Sequence, residues 1–292
     1  MRFQVTLLAG ALAAGALATA AVAEAPSAPR GNFGGGALVS PPRAIFGAGN
    51  VIVALRALPK RELEIEATVR GRCAGGDISA ATKIAADGSF TADGTAKQDP
   101  SPAETITTTY RLSGRFTGRN AADGTISATI HRSVEGRETT CRSGKVAFGV
   151  RRATSGLGTP GAVAAARYYG TTSQRGVGPN RPIVLRISAD GKRITRALFG
   201  EAVKCSDGKL AVGVEAPSTN ITLDSRGRVT DHERFTITEG ELVTHVNDSF
   251  TAEVGSRGAR GTFRLSDRTA DRASNTTIQT CSSPTVHWRA SR

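Results

Sequence analysis

The sequence predicts an all-β protein made of two tandem antiparallel β-sandwich or small β-barrel domains, each closed by one intradomain disulfide. Three observations predict it. Apolar residues alternate with polar ones, a period of two that places one face of a strand in a core. Asp-Gly turn signals recur at 87, 93, 123, 190 and 207, between runs of strand-forming residues. The chain beyond its N-terminal segment also reads as one design written twice, with a cysteine pair marking each copy.

Residues 1–23 have the pattern of an export signal: Arg2, an apolar stretch from Val5 to Ala20, then Ala21-Val22-Ala23 before Glu24. A basic start, an apolar middle and a small-x-small end are what a signal peptidase reads. With alanine and glycine at its centre, the stretch is a poor permanent membrane span. Residues 24–36, rich in proline, alanine and glycine, are expected to be a flexible lead-in. The first β domain is expected over 37–152. There Leu63, Ile65, Ala67 and Val69 alternate with Glu62, Glu64, Glu66 and Arg70. Residues 153–166 hold Gly156, Gly158, Pro160 and Gly161 and no charge, the composition of a linker. The second β domain is expected over 167–292, where Ile183, Leu185 and Ile187 alternate in the same way.

The repeat is carried by matched spacings. Val146 and Phe148 follow Cys141 at the offsets at which Val286 and Trp288 follow Cys281. Leu55-Arg56 precedes Cys73 much as Leu185-Arg186 precedes Cys205. Asp123-Gly124-Thr125-Ile126 corresponds to Arg260-Gly261-Thr262-Phe263. Four cysteines allow three pairings, and the repeat selects Cys73–Cys141 and Cys205–Cys281. An exported chain with no Cys-x-x-Cys pair favours disulfides over metal ligands. Each bridge would contribute up to roughly 4 kcal/mol in the chain-entropy account. Phe148 and Trp288, at equivalent positions, are expected to anchor the two cores.

Tyr168-Tyr169-Gly170-Thr171-Thr172-Ser173-Gln174, Pro182-Ile183, Asp190-Gly191, Cys205-Ser206-Asp207-Gly208 and Gly261-Thr262 recur in that order before Cys281 and Val286-His287-Trp288-Arg289-Ala290. This half resembles a repeat unit of exported bacterial β proteins, a family without an assigned activity. The first half matches loosely: it lacks the Tyr-Gly-Thr-Thr-Ser-Gln opening and has Phe148 in place of the tryptophan. The resemblance implies fold and address and implies no catalysis.

Candidate chemistry is sparse. If Glu239-Gly240 forms the turn of a hairpin, Phe235, Ile237, Leu242 and Val246 share its inner face and His232 and His245 its outer one. Arg234 would then lie opposite His245, where a cation opposes metal binding, so no metal site is expected. No nucleophile elbow, zinc-protease motif or calcium loop is present; neither a catalytic residue nor a cofactor is expected. Glu62, Glu64 and Glu66 on one strand face read as a solvated, edge-protecting row.

The formal charge is +13, from 38 Lys plus Arg against 25 Asp plus Glu, and the arginines are dispersed along both copies. A field of that sign attracts anionic polymers. With 10 Phe, 3 Tyr and 1 Trp, the chain lacks the aromatic interleaving of base-stacking modules, so sequence-specific nucleic-acid binding is not expected. The expected function is a non-catalytic, exported binding or structural module of the cell envelope or extracellular space. Its expected partners are anionic envelope polymers or another protein, and it is not expected to be an integral membrane protein. The alternative is a secreted enzyme or enzyme inhibitor with a loop-borne site in the second domain.

Overall fold

Alternation along the strands decides the architecture, because it gives each sheet one apolar face that must be buried by curling the sheet on itself. A computed structural model describes residues 29–39, 50–101, 103–154, 156–175, 178–215 and 220–292. The predicted export signal and the start of the lead-in lie outside the described residues. Among those described, the only helical element is a single 3-10 turn at Pro59–Arg61, and no helix is long and apolar enough to cross a membrane.

The first domain contains β1 (Gly31–Ala37), β2 (Val51–Ala57), β3 (Glu62–Arg70), β4 (Gly75–Lys83), β5 (Ser89–Ser101), β6 (Glu104–Phe116), β7 (Ala121–Val134), β8 (Arg137–Arg142) and β9 (Val146–Arg151). They form one antiparallel sheet in the order β4-β3-β2-β1-β9-β7-β6-β5, with β8 also on β7. The barrel is nearly closed. Across the seam between β4 and β5, side chains do what backbone pairing does elsewhere. The Asp77 amide donates to Gln98 Oε1 at 2.9 Å, and Gln98 Nε2 donates to Asp77 Oδ2 at 2.7 Å.

The second domain repeats the plan with β10 (Arg167–Arg175), β11 (Asn180–Ile187), β12 (Arg193–Cys205), β13 (Leu210–Glu215), β14 (Ile221–Thr222), β15 (Arg228–Glu239), β16 (Leu242–Val254), β17 (Gly258–Asp271), β18 (Thr277–Ser282) and β19 (Val286–Ser291). The order is β13-β12-β11-β10-β19-β17-β16-β15. Here the hydrogen-bonded path closes into a barrel, because β18 pairs with both β17 and β12. Both predicted disulfides are present, one per domain: Cys73–Cys141, and Cys205–Cys281 directly opposite each other on β12 and β18.

Three local expectations are corrected. The last part of the expected lead-in, Gly31–Gly36, forms β1 together with Ala37, paired with β2 and β9 inside the sheet. Its glycines are needed for close approach, since a Cβ on Gly34 would land on the Gly170 carbonyl oxygen of the second domain. Asp93-Gly94 and Asp123-Gly124 are not turns but lie within β5 and β7. Gly124 and Gly261 sit opposite the buried Phe148 and Trp288, whose rings cover them and would meet any added Cβ. The paired glycine and aromatic are therefore one packing unit, used once per copy. The third correction is the β15–β16 hairpin, which turns at Gly240-Glu241, with Gly240 in the left-handed region at φ 60°. Shifting the register by two keeps every face but sets His245 opposite Thr236, and Arg234 opposite Asn247.

The domains pack like against like: β1 and β2 against β10 and β11. Leu38, Ile52, Val184 and Leu198 form a small apolar cluster there, with Tyr169 beside it. Glu66, read as part of a solvated row, reaches across. Its carboxylate accepts from Arg181 Nη1 at 2.9 Å and from the Gly178 amide at 3.1 Å. Nor is β3 an edge, since β4 flanks it. The segment at 153–166 lies against the second domain, through a bridge between Pro160 and Gly255 and a bond from the Ala165 amide to the Ser188 carbonyl.

Candidate cationic binding face

Strand pairing in the second domain gathers arginines that the sequence disperses. On β15, β16, β17 and β19 the outward positions fall into rungs of directly opposed residues. One rung is Arg228, Glu253, Arg260 and Arg289. The next is Thr230, Thr251, Thr262 and His287. Beyond them lie His232, Ser249 and Arg264, then Arg234, Asn247 and Ser266, then Thr236, His245 and Arg268. Adjacent strands are about 4.8 Å apart and alternate residues on one strand about 6.7 Å apart, so the cationic heads share a single patch.

Glu253 is the only acid in these rungs. It accepts from Arg260 Nη2 at 2.7 Å and from Arg228 Nη2 at 3.2 Å. The Arg260 hydrogen bond, opposed by slight desolvation and reinforced by Arg228, holds its carboxyl below the usual glutamate range. Arg264, Arg289, His232 and His287 are exposed on the same face. Around the first two rungs the surface forms a shallow hollow of about 680 Å³, floored by strand backbone and the threonines. Thr251 and Thr262 are hydrogen-bonded to each other at 2.8 Å, which fixes the floor. Fixed cations with hydroxyls between them are complementary in charge and hydrogen bonding to anionic groups.

The corresponding face of the first domain is mixed in charge. Its rungs run Ser89, Arg115, Asp123, Gly149 and then Thr91, Ser113, Thr125, Ala147. Asp93 opposes Arg111 in the next. Arg115 is paired with Asp87 at 2.8 Å and Asp123 with Arg151 at 2.9 Å. In these rungs the first copy sets an acid beside each arginine, and the second copy does not.

The residues singled out in the sequence are therefore structural. The four cysteines form the two bridges, and Phe148 and Trp288 are buried. Trp288 stacks on Phe250 with ring planes 3° apart and meets Phe199 edge-on. His232 and His245 lie on the outer face and belong to the cationic patch. Among the described residues no three His, Cys, Asp or Glu side chains converge as a metal would require. Sequence reasoning missed the arginine face, although its signal was present: Arg228, Arg234, Arg260, Arg264 and Arg268 are separated by even steps within their strands. No known protein family matches the chain, and no curated protein matches it.

Proposed function

We propose that this chain is an exported, non-catalytic binding module that engages an anionic polymer through the outer face of its second domain. The observation that carries the reading is the rung pattern: Arg228, Arg234, Arg260, Arg264, Arg268 and Arg289 face one side with a single acid among them. A polymer repeats its charge and can meet several rungs at once, whereas a small anion would use one. The two disulfides support an extracytoplasmic address, since such bonds persist in oxidising compartments.

The test is binding to immobilised polyphosphate, a polyuronate and neutral dextran across a salt titration. An Arg260→Ser, Arg264→Ser, Arg289→Ser variant should lose roughly two to three counterion-equivalents of salt slope on the preferred polyanion. Arg111→Ser with Arg115→Ser, on the first domain's face, should leave the slope unchanged. Equal losses from the two sets would reduce the attraction to net charge and refute a dedicated face.

A further inference from the structure

Three of the chain's four histidines lie in the arginine rungs. His232 is on β15, His245 on β16 and His287 on β19, each at an outward position and each exposed. The fourth, His131, is on β7 of the first domain. Imidazole is the one side chain whose ordinary titration falls between pH 5 and pH 8. The face can therefore change its charge over a range in which its arginines cannot.

The neighbours of each ring decide what that charge does. His287 is directly opposite Thr262, with Arg260 and Arg264 to either side of it on β17 and Arg289 beside it on its own strand. On its other flank runs β10, where Ser173 accepts from the His287 amide and the exposed Arg175 follows. His245 lies between Thr236, whose hydroxyl is 3.2 Å from its Nδ1, and Arg268, with Arg234 diagonal to it. His232 is opposite Ser249, with Thr230 and Arg234 on its own strand and Arg264 beyond Ser249. None of the residues paired with these rings or diagonal to them on the outer face is an acid. The acids of the same strands, Asp231, Glu233, Asp248 and Asp267, turn to the inner side. Glu253 is a strand beyond Arg260 and is already held by Arg228 and Arg260. An imidazolium here keeps its charge for whatever lies on the face.

On the polyanion reading of this face, we propose that His232, His245 and His287 make its grip on an anionic polymer depend on pH. The arginines hold the polymer at neutral pH, and acidification adds imidazolium charges to the same patch and tightens the hold. The added strength is gained as pH falls and lost as it rises. Protonation and binding are reciprocal, so the bound polymer draws protons onto the rings. His287 borders the hollow, and His245 is three rungs away, about 20 Å along the strands. Only an extended ligand meets all three.

The test measures binding of the full chain, both disulfides intact, to dextran sulfate across a salt titration at pH 8 and at pH 5.5. Sulfate esters keep their charge throughout, so a change with pH belongs to the protein. The salt slope should be steeper at pH 5.5 by about two units, roughly 0.7 for each of three added contacts. Calorimetry at pH 6.5 in two buffers of different ionisation enthalpy should show protons taken up on binding. His232→Gln, His245→Gln and His287→Gln together should give one slope at both pH values and abolish the uptake, whereas His131→Gln should keep the parent's pH dependence. Two inward acids have raised values, Asp248 to about 6 and Asp267 in the same direction. Both remain in the triple variant, which separates their effect from that of the rings. Binding that the arginine substitutions weaken, but with equal slopes at the two pH values, would leave the polyanion face standing and overturn its pH dependence. A triple variant as pH-dependent as the parent would overturn it too. Absence of binding at either pH would remove the polyanion reading and the pH dependence together.

Discussion

Replacing Asp248 with asparagine should stabilise the second domain at pH 8 and remove much of its pH dependence. Desolvation raises the Asp248 carboxyl from its ordinary 3.8 to about 6, reinforced by Glu233 and Asp231 on β15 and opposed by the Glu233 amide and His232. A folded-state value above the unfolded one means that the folded domain holds the proton more tightly. The associated stability is complete below the unfolded value and is lost as pH rises through the folded one. Fully ionised, the group costs about 3 kcal/mol, the free energy of a shift of about two units. About half of that, roughly 1.4 kcal/mol, should be recovered on acidifying from pH 8 to pH 5. Asp267, raised chiefly by burial, acts in the same direction. Asp190, Asp224, Glu253 and Asp271 have lowered values, so their contribution is lost only as pH falls below the ordinary carboxylate range, outside this window. Urea unfolding followed by Trp288 fluorescence reports on the second domain alone, and the parent-minus-variant difference cancels the histidines common to both. If the two proteins show parallel stability between pH 5 and pH 8, Asp248 ionises as a solvated residue and the account of a buried carboxyl fails.

Further outcomes follow from the same geometry. Glu253→Gln releases Arg228 and Arg260 from their internal acceptor; it should tighten polyanion binding several-fold and raise the salt needed for elution, by about one unit of charge. Gly34→Val would drive a side chain into the Gly170 carbonyl. Small-angle scattering should then show a larger radius of gyration while each domain keeps its own unfolding transition. Gly261→Ala sets a methyl against the Thr251 carbonyl and the Trp288 ring; a loss of about 2 kcal/mol in the second domain is expected, read from the tryptophan signal in denaturant.

What the sequence made legible was whatever follows from period two and from duplication. The alternation at Leu63–Val69 gave strand β3 and its inner face, and the matched offsets around Cys141 and Cys281 gave the disulfide pairing. Composition misled where one residue type serves opposite ends. Glycine in Gly34-Gly35-Gly36 resembles a linker, yet Gly34 lets the two sheets approach backbone to backbone. Asp123-Gly124 resembles a turn, yet its glycine makes room for an aromatic ring on the next strand. The arginine face and the inward-facing acids depend on register between strands far apart in the chain. Asp231, His232, Glu233 and Arg234 alternate in plain view, but only the pairing with Asp248 and Asn247 shows that the acids turn inward and the bases outward.

The meeting of equivalent strands at the domain boundary bears on how little adhesion the boundary needs. A free single copy would present its β1–β2 surface to other molecules, and pairing would have to overcome the full loss of independent translation. Joined in one chain, the second copy is already present at an effective concentration on the order of millimolar. A handful of apolar side chains and one cross-domain ion pair then suffice to keep the surfaces together. Tethering also covers an apolar sheet face, where Leu38 and Ile52 meet Val184 and Leu198. Duplication thus lets each copy cover the same face of the other, while the arginine face of the second copy stays on the outside of its barrel.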